Sequence, residues 1–258
     1  MCPLYSRVVI LVGLQLMLFH ATQLSAADPR QSSYQLMSTE NKAMQDDPSL
    51  NPATFAILDG QSAWQEKLGS SNQACASCHG DAAKSMQGVA TRYPQLVDGK
   101  LMNLEGRINQ CRAEKQKVKP LPYESKELLS LLAYISVQSK GMPIQIKATP
   151  ATQPYLEAGK RHFNQRIGQL NLSCKQCHEE RAGEKLAGIP IPQAHPTAYP
   201  IYRLEWQSVG SLQRRLRNCM IGVRAEPYAY GSKELTELEL FLMMRANGMP
   251  LEAPGVRP

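Results

Sequence analysis

The chain has 258 residues, a formal net charge of +7 at pH 7 and a modest aromatic content of 6%. This basic excess favours anionic substrates or acidic protein partners. No segment combines dense Lys and Arg with interleaved aromatic residues, so the composition does not indicate a nucleic-acid-binding protein.

The first 27 residues have the pattern of an export signal. Arg7 gives a positive start, residues 8–19 form an apolar run, and the small residues 25–27 form a cleavage site. The apolar run is short for a membrane span, which needs about 20 residues, and no later segment is long enough. We therefore expect a periplasmic mature protein that begins near Asp28 and has no membrane span. Removal of Cys2 leaves six cysteines.

Two Cys-x-x-Cys-His motifs follow a polar N-terminal arm at residues 28–52, which we expect to pack over a domain or a partner. In such a motif both thiols attach covalently to one haem and the histidine binds the iron. A zinc or redox Cys-x-x-Cys site would not require the histidine in both copies. The motifs therefore predict two covalently bound haem c groups, attached through Cys75, Cys78, Cys174 and Cys177, with His79 and His178 as iron ligands.

The two motifs lie within an internal repeat of about 100 residues. The repeated positions are Gly60/Gly159, Gly69/Gly168, Tyr93/Tyr199, Pro94/Pro200, Leu104/Leu212, Arg107/Arg215, Cys111/Cys219, Tyr123/Tyr230, 125–128/232–235 and 141–143/248–250. The repeat predicts two domains, at residues 53–150 and 151–258, joined by a proline-containing linker at 142–154.

Helical periodicity is found in both copies. Ser125 is placed to cap a helix with inward Leu and Ile residues that Gly141 ends, and Ser232 begins the equivalent helix. Residues 104–111 and 212–219 predict short helices, each of which carries a lone cysteine. No sustained alternation of apolar and polar residues indicates long strands. We therefore predict a mostly α fold of two tandem cytochrome c-like domains.

The second axial ligand of each iron is open at this point. Met86, Met102, Met220, His162 and His195 are available, although methionines at helical spacing usually belong to the core and these histidines are more often ordinary surface residues. The duplication instead preserves Cys111 and Cys219 at equivalent positions, which favours each cysteine as a ligand of its own haem. A disulfide between the two cysteines is the alternative, because disulfides are common in exported proteins.

The sequence resembles the dihaem form of the SoxA family of periplasmic sulfur oxidation. The resemblance rests on both haem motifs, on the Arg-x-x-Gln-Cys run at 107–111, and on the segment at 215–220 that leads to 224–226. It implies His/Cys ligation of both haems and a second-domain cysteine that can carry an extra sulfur as a persulfide. It also implies a monohaem SoxX subunit and the carrier protein SoxYZ.

The reaction that the resemblance implies joins thiosulfate oxidatively to a carrier cysteine, with the electrons passing through SoxX to a small cytochrome c. Cys219 is then the catalytic sulfur. Thiosulfate is a dianion, and the donor fork of arginine suits oxyanions. Arg215 lies one helical turn before Cys219 and is the first candidate, while Arg224 and Arg245 are further candidates that could equally be solvated or bind haem propionates.

Other readings of the same residues remain open. A plain dihaem electron carrier would use both lone cysteines only as ligands, and a thiosulfate dehydrogenase would form tetrathionate without a carrier protein. A dihaem peroxidase is disfavoured, because no distal acid/base arrangement is evident.

Overall fold

The computed structural model of the protein describes residues 28–258, so the predicted export signal lies outside the described residues. The helices of this range are Thr39–Asp46 (α1), Ala53–Gln65 (α2), Cys75–His79 (α3), Ala82–Ser85 (α4), Leu104–Cys111 (α5), Lys126–Val137 (α6), Gln153–Asn164 (α7), Cys174–His178 (α8), Leu212–Gly222 (α9) and Lys233–Arg245 (α10). The strands are Gln95–Val97 (β1), Lys100–Met102 (β2), Lys185–Leu186 (β3), Ile189–Pro190 (β4), Ile201–Arg203 (β5), Ser208–Gly210 (β6) and Gly255–Arg257 (β7). None of these helices has the length and apolar character that crossing a membrane requires. The mostly α prediction is confirmed.

Each domain is built on one pair of closely packed helices, α2 with α6 and α7 with α10. A Cβ atom added to Gly60 would lie 2.0 Å from the Ser130 carbonyl oxygen, and one added to Gly159 would lie 2.1 Å from the Glu237 carbonyl oxygen. Real side chains cannot approach a backbone oxygen so closely. The repeated glycines are therefore required for the same helix crossing in both domains.

The predicted caps form. The Ser125 hydroxyl accepts a hydrogen bond from the Leu128 amide at the start of α6, and Ser232 does the same with Leu235 in α10. The inward residues that the periodicity predicts are buried: Leu128, Leu129, Leu132, Ala133, Ile135, Leu235, Leu238, Leu242 and Met243. Helix α6 ends at Val137, four residues before the predicted stop at Gly141.

The two Gly-Met-Pro segments of the repeat pair with each other. The Gly141 amide donates to the Leu251 carbonyl at 2.7 Å, and the Ile144 amide donates to the Met249 carbonyl at 2.9 Å. Ile144 is almost fully buried. The predicted linker at 142–154 is therefore not an open tether, because its first part joins the two domains through backbone hydrogen bonds.

Three-residue strands occur at equivalent places in the two domains. The β1–β2 hairpin precedes α5, and the β5–β6 hairpin precedes α9. The second domain adds the β3–β4 hairpin, while β7 runs parallel to β5. The N-terminal arm packs on this domain, where Arg30 donates to the backbone oxygens of Arg245 and Asn247 at 3.1 and 2.8 Å.

Candidate functional site

Both haem motifs form single helical turns, α3 and α8, with matching first-turn contacts. The Ser173 amide donates to the Gln176 side-chain oxygen at 3.0 Å at the start of α8, and the Ala74 amide donates to the Ser77 hydroxyl at 3.0 Å at the start of α3. The first thiol of each motif, Cys75 or Cys174, packs against the hydrophobic core of its own domain. These turns place two thiols and a histidine within five consecutive residues on one short helix, as covalent attachment of a haem requires.

His178 and Cys219 face each other in the second domain. The His178 ring is close enough to the Cys219 thiol to lower its pKa. The Nδ1 atom of His178 lies 2.7 Å from the Pro192 carbonyl oxygen, so Nδ1 is the protonated nitrogen and Nε2 remains for an iron. The fold therefore brings the predicted histidine and cysteine ligands together in a single site.

The first domain brings Cys111 to its own haem motif. The Cys78 thiol is close enough to Cys111 for its charge to raise the pKa of Cys111. The Cys111 thiol raises the pKa of Cys75 in the same way. His79 lies beside Trp64, with 5.7 Å between the ring centroids. All six cysteines of residues 28–258 are free. The alternative of a disulfide between Cys111 and Cys219 is therefore wrong for this structure.

The two lone cysteines differ in acidity. Burial raises the pKa of Cys111, and Arg107 opposes that shift without cancelling it. Burial also raises the pKa of Cys219, but the nearby His178 ring and the charges of Arg215 and Arg203 outweigh it, so the net pKa is lowered. The second site therefore favours a thiolate, which is the form that binds iron and attacks sulfur.

Arg203 was not among the sequence-predicted site residues. It ends strand β5, and its side chain is 11% exposed and forms a 2.9 Å salt bridge with Glu205. Its guanidinium carbon lies 5.2 Å from the centroid of the Trp206 ring. The repeat contains a signal that could have identified Arg203. When the two Tyr-Pro pairs are aligned, the first copy has the apolar Val97 at the position of Arg203, so the charge there distinguishes the second copy.

The other predicted arginines are placed differently. The side chain of Arg245 pairs with Glu179, donates to the Gln193 carbonyl at 3.2 Å and stacks on Phe163. It therefore lies beside His178 and is already engaged. Arg224 is exposed at the turn that follows α9 and has a φ of 58°.

Two neighbours of Arg215 on α9 are also engaged elsewhere. Arg214 donates to the Ser208 hydroxyl at 3.2 Å, and Arg217 stacks on the Tyr230 ring at 4.5 Å. Of the helix α9 arginines, Arg215 is the one whose charge acts most strongly on Cys219.

The alternative axial ligands have other roles. His195 is buried rather than partly exposed, and its Nδ1 atom lies 2.9 Å from the Gln31 carbonyl oxygen; burial lowers its pKa. His162 lies 3.1 Å from the Glu237 carboxylate. Met86 and Met220 are buried in the apolar cores of the two domains.

The residues around the motifs fit haem c. A cavity of about 380 Å³ lies beside His178 and is lined in part by Arg30, Arg245 and His195. The Nε atoms of Arg112 and Arg245 are buried without a hydrogen-bond partner in the described part of the chain, as donors reserved for an anionic group such as a propionate would be. Within residues 28–258 no cluster of three or more His, Cys, Asp and Glu side chains is arranged to hold a metal ion.

Comparison with known proteins agrees with this geometry. The family model described as SoxA/TsdA, cytochrome c domain, matches residues 59–144 and 158–251. The SoxA subunit of L-cysteine S-thiosulfotransferase from Pseudaminobacter salicylatoxidans is 33% identical over 88% of this chain and 80% of its own length. The corresponding subunit from Paracoccus pantotrophus is 32% identical over 88% of this chain and 78% of its own length. The crystal structure of SoxXA from P. pantotrophus matches with a TM-score of 0.86 at 31% identity, over 89% of this chain and 87% of that one.

Proposed function

The chain belongs to the SoxA family of cytochromes c, and from that premise we propose that it is the SoxA subunit of an L-cysteine S-thiosulfotransferase. It joins thiosulfate oxidatively to a cysteine thiol of the carrier protein SoxYZ. The observation that carries the proposal is Cys219, a half-buried thiol that lies near His178 and whose pKa is lowered by His178, Arg215 and Arg203. Such a site suits a sulfur nucleophile that receives an anionic sulfur group.

We propose that two haem c groups are bound covalently, one in each domain, with a domain boundary near residue 150. Cys75 and Cys78 would attach the first haem, with His79 and Cys111 as ligands of its iron. Cys174 and Cys177 would attach the second haem, with His178 and Cys219 as ligands of its iron. When bound, the haem supplies one-electron redox chemistry, with thiolate ligation that lowers its potential.

In the first step the Cys219 sulfur forms a bond with the sulfane sulfur of thiosulfate. Thiolate and thiosulfate together lose two electrons and become a Cys219 S-thiosulfonate, and the S–SO₃ bond of the substrate stays intact. The electrons leave through SoxX to a small cytochrome c. Arg215 holds the sulfonate oxygens by charge-assisted hydrogen bonds while this bond forms.

In the second step the carrier thiolate attacks the sulfane sulfur. A bond forms between the carrier sulfur and the sulfane sulfur, and the bond from Cys219 to that sulfur breaks. Cys219 leaves as a thiolate, which its lowered pKa favours. The carrier then holds a cysteine S-thiosulfonate, and no further electrons are exchanged in this step.

The proposed setting is the periplasm, because c-type haem is attached outside the cytoplasm in bacteria and residues 1–27 have the pattern of an export signal. SoxX is the proposed subunit partner, in a heterodimer. The likeness to the SoxXA crystal structure supports this assignment.

Intact mass spectrometry tests the function. The holoprotein isolated with SoxX is incubated with thiosulfate, with and without SoxYZ, and Cys219 is expected to gain a thiosulfate-sized group that disappears when the carrier is added. Thiosulfate alone should allow a single turnover, and repeated cytochrome c reduction should require thiosulfate and carrier together. Tetrathionate formed at the same rate without a carrier would instead indicate a thiosulfate dehydrogenase. Electron transfer with no addition to Cys219 would indicate a plain electron carrier.

A further inference from the structure

We propose that Arg203 binds the sulfonate oxygens of the substrate together with Arg215, and that this second guanidinium confines thiosulfate transfer to the second domain. The inference rests on the proposed function and adds a specificity-determining residue to the same site. Arg203 lies in a hairpin strand, far from Cys219 in sequence, and in the folded protein its charge reaches that thiol.

The Arg203 side chain is held in place but not saturated. Glu205 and the Trp206 ring engage its outer end at 2.9 and 5.2 Å, and the side chain is only 11% exposed. Its Nε atom is nevertheless buried and has no hydrogen-bond partner among residues 28–258. A buried N–H group without an acceptor is costly, so this donor is available to an acceptor that the protein chain does not supply.

The local charge is unbalanced in favour of an anion. Arg203 and Arg215 are close enough that Arg215 helps burial to lower the pKa of Arg203. The nearest carboxylate, Glu205, is 61% exposed, so water screens it from the buried side of the guanidinium. Two guanidinium groups that repel each other beside one thiol gain most from a ligand that carries two negative charges.

Trp206 fixes this arrangement relative to Cys219. Its ring lies between two arginines, with the Arg214 guanidinium carbon 4.3 Å from the ring centroid. With the Asn218 amide oriented so that both of its ends are bonded, the indole N–H donates to Asn218 at 3.2 Å. Asn218 directly precedes Cys219, so the hairpin that carries Arg203 is tied to the helix that carries the reactive sulfur.

The first domain provides a natural comparison. Counting from the paired Tyr93 and Tyr199, the position of Arg203 in β5 is occupied by Val97 in β1. Cys111 therefore has an equivalent of Arg215, namely Arg107, but no equivalent of Arg203. The other cations near Cys111 are the exposed Lys115 and the adjacent Arg112, whose buried Nε atom suits a haem propionate. The first domain therefore lacks the hairpin guanidinium, and not positive charge in general.

The test uses the holoprotein assembled with its monohaem cytochrome subunit and compares Arg203→Val, Arg203→Lys and Arg214→Gln with the wild type. Arg203→Val installs the residue of the first copy. Arg214→Gln removes the same unit charge from the other arginine that stacks on Trp206 and is the matched control. Thiosulfate binding is measured by calorimetry without the carrier, and cytochrome c reduction with thiosulfate and the carrier gives kcat and KM at low and high salt.

Arg203→Val is expected to weaken thiosulfate binding and raise KM by about tenfold or more, with a smaller change in kcat. Its kcat/KM should also depend less on salt, because one screened charge has been removed. Arg203→Lys should recover part of the binding, since lysine restores the charge but not the Nε donor. Arg214→Gln should stay within about threefold of the wild type.

Three results would overturn the inference. Thiosulfate binding that is equal in Arg203→Val and the wild type would remove Arg203 from the anion site. Equal losses of thiosulfate binding in Arg203→Val and Arg214→Gln would show that the effect comes from removing any nearby positive charge, and not from a contact between Arg203 and the substrate. A changed haem content or visible spectrum in Arg203→Val would assign Arg203 to the haem. Failure of the proposed function is seen separately, as a wild type that binds thiosulfate but does not reduce cytochrome c in the presence of the carrier.

Discussion

The two domains use the same helices to bring a cysteine to a haem motif, but they surround that cysteine with different charges. Gly60 and Gly159 allow the same helix crossing, and Ser125 and Ser232 cap the same helix. The acidity of the lone cysteine nevertheless moves in opposite directions, with a raised pKa for Cys111 and a lowered one for Cys219. The duplication has kept the scaffold and changed the site.

The difference arises mainly in the connection between haem motif and cysteine. That connection has 40 residues between His178 and Cys219 and 31 between His79 and Cys111. The longer segment includes the β3–β4 hairpin, the Pro192 carbonyl that orients the His178 ring, and Arg203. A few added residues can thus convert a structural copy of a haem site into one that handles an anion, while the helices stay the same.

Replacement of the lone cysteines should separate the two sites most strongly. Cys219→Ser is expected to abolish the transfer of thiosulfate to the carrier, because no sulfur remains to hold the group. Cys111→Ser should change the visible and electron paramagnetic resonance spectra of the first haem and leave substantial turnover. Turnover is measured as carrier- and thiosulfate-dependent cytochrome c reduction, and intact mass should show both haems still attached in each variant.

Near-normal turnover of Cys219→Ser would contradict the sulfur-transfer mechanism and favour the plain electron carrier. Equal losses in both variants would show that the first haem is needed as much as the second, and the contrast between the domains would then not concern catalysis. Spectra of the wild type typical of His/Met or bis-histidine ligation at both haems would contradict cysteine ligation itself.

The equivalent arginines should differ in the same sense, by a smaller amount. Arg215→Ala removes a charge-assisted contact to the sulfonate and should lower kcat/KM for thiosulfate by about ten- to a hundredfold, or about 1.5–3 kcal/mol. Arg107→Ala is the matched control and should leave kcat/KM within about twofold. Steady-state kinetics of the assembled holoprotein measure both. An unchanged Arg215→Ala would transfer the sulfonate role to Arg203 and Arg224.

The sequence predicts the parts of this molecule that depend on neighbouring residues. The haem motifs, the serine caps and the helices of the lone cysteines follow from local spacing, and the structure contains helices at these places. The three-residue strands are too short to show an alternating pattern. The proximity of Arg203 to Cys219 depends on how the β5–β6 hairpin folds over α9, which no local pattern records. Arg245 stays a predicted anion-binding residue: it pairs with Glu179, but its buried Nε atom has no hydrogen-bond partner in the described residues.

The shared scaffold can be tested with the two crossing glycines. Gly60→Ala and Gly159→Ala each place a methyl group against a backbone carbonyl that cannot move alone, so each should destabilise its own domain by about 1–3 kcal/mol or more. Similar shifts in the denaturation midpoint would support equal scaffolds. Gly222→Ala is the control for the loss of a glycine without a clash, because an added Cβ there meets no atom within 4 Å and the residue has no positive φ.

The smallest expected effect concerns two buried carboxyl groups between the domains. Glu105 and Glu239 line a cavity of about 40 Å³, and Glu239 accepts hydrogen bonds from Gln213 and Asn103 at 3.0 and 3.3 Å. Burial raises the pKa of Glu239 to about 7. Burial, with the charges of Glu239 and Glu124, also raises the pKa of Glu105 well above its usual value of 4.5.

Because both pKa values are raised in the folded state, protonation of this pair favours folding. Its stabilising effect is complete below about pH 4.5 and is lost as the pH rises through about 7.

The second copy has Gln213 in place of Glu105, so Glu105→Gln makes the copies alike at this position. This variant should show a smaller loss of unfolding free energy between acidic and neutral pH, with unchanged thiosulfate turnover. Denaturation of the holoprotein followed by circular dichroism measures the loss. Glu127→Gln, which alters an exposed carboxylate of α6, is the control and should keep the wild-type pH dependence. If Glu105→Gln kept the wild-type pH dependence of the unfolding free energy, protonation of the buried pair would not be coupled to folding. The exchange of Glu105 for Gln213 between the copies would then have no effect on the pH dependence of stability.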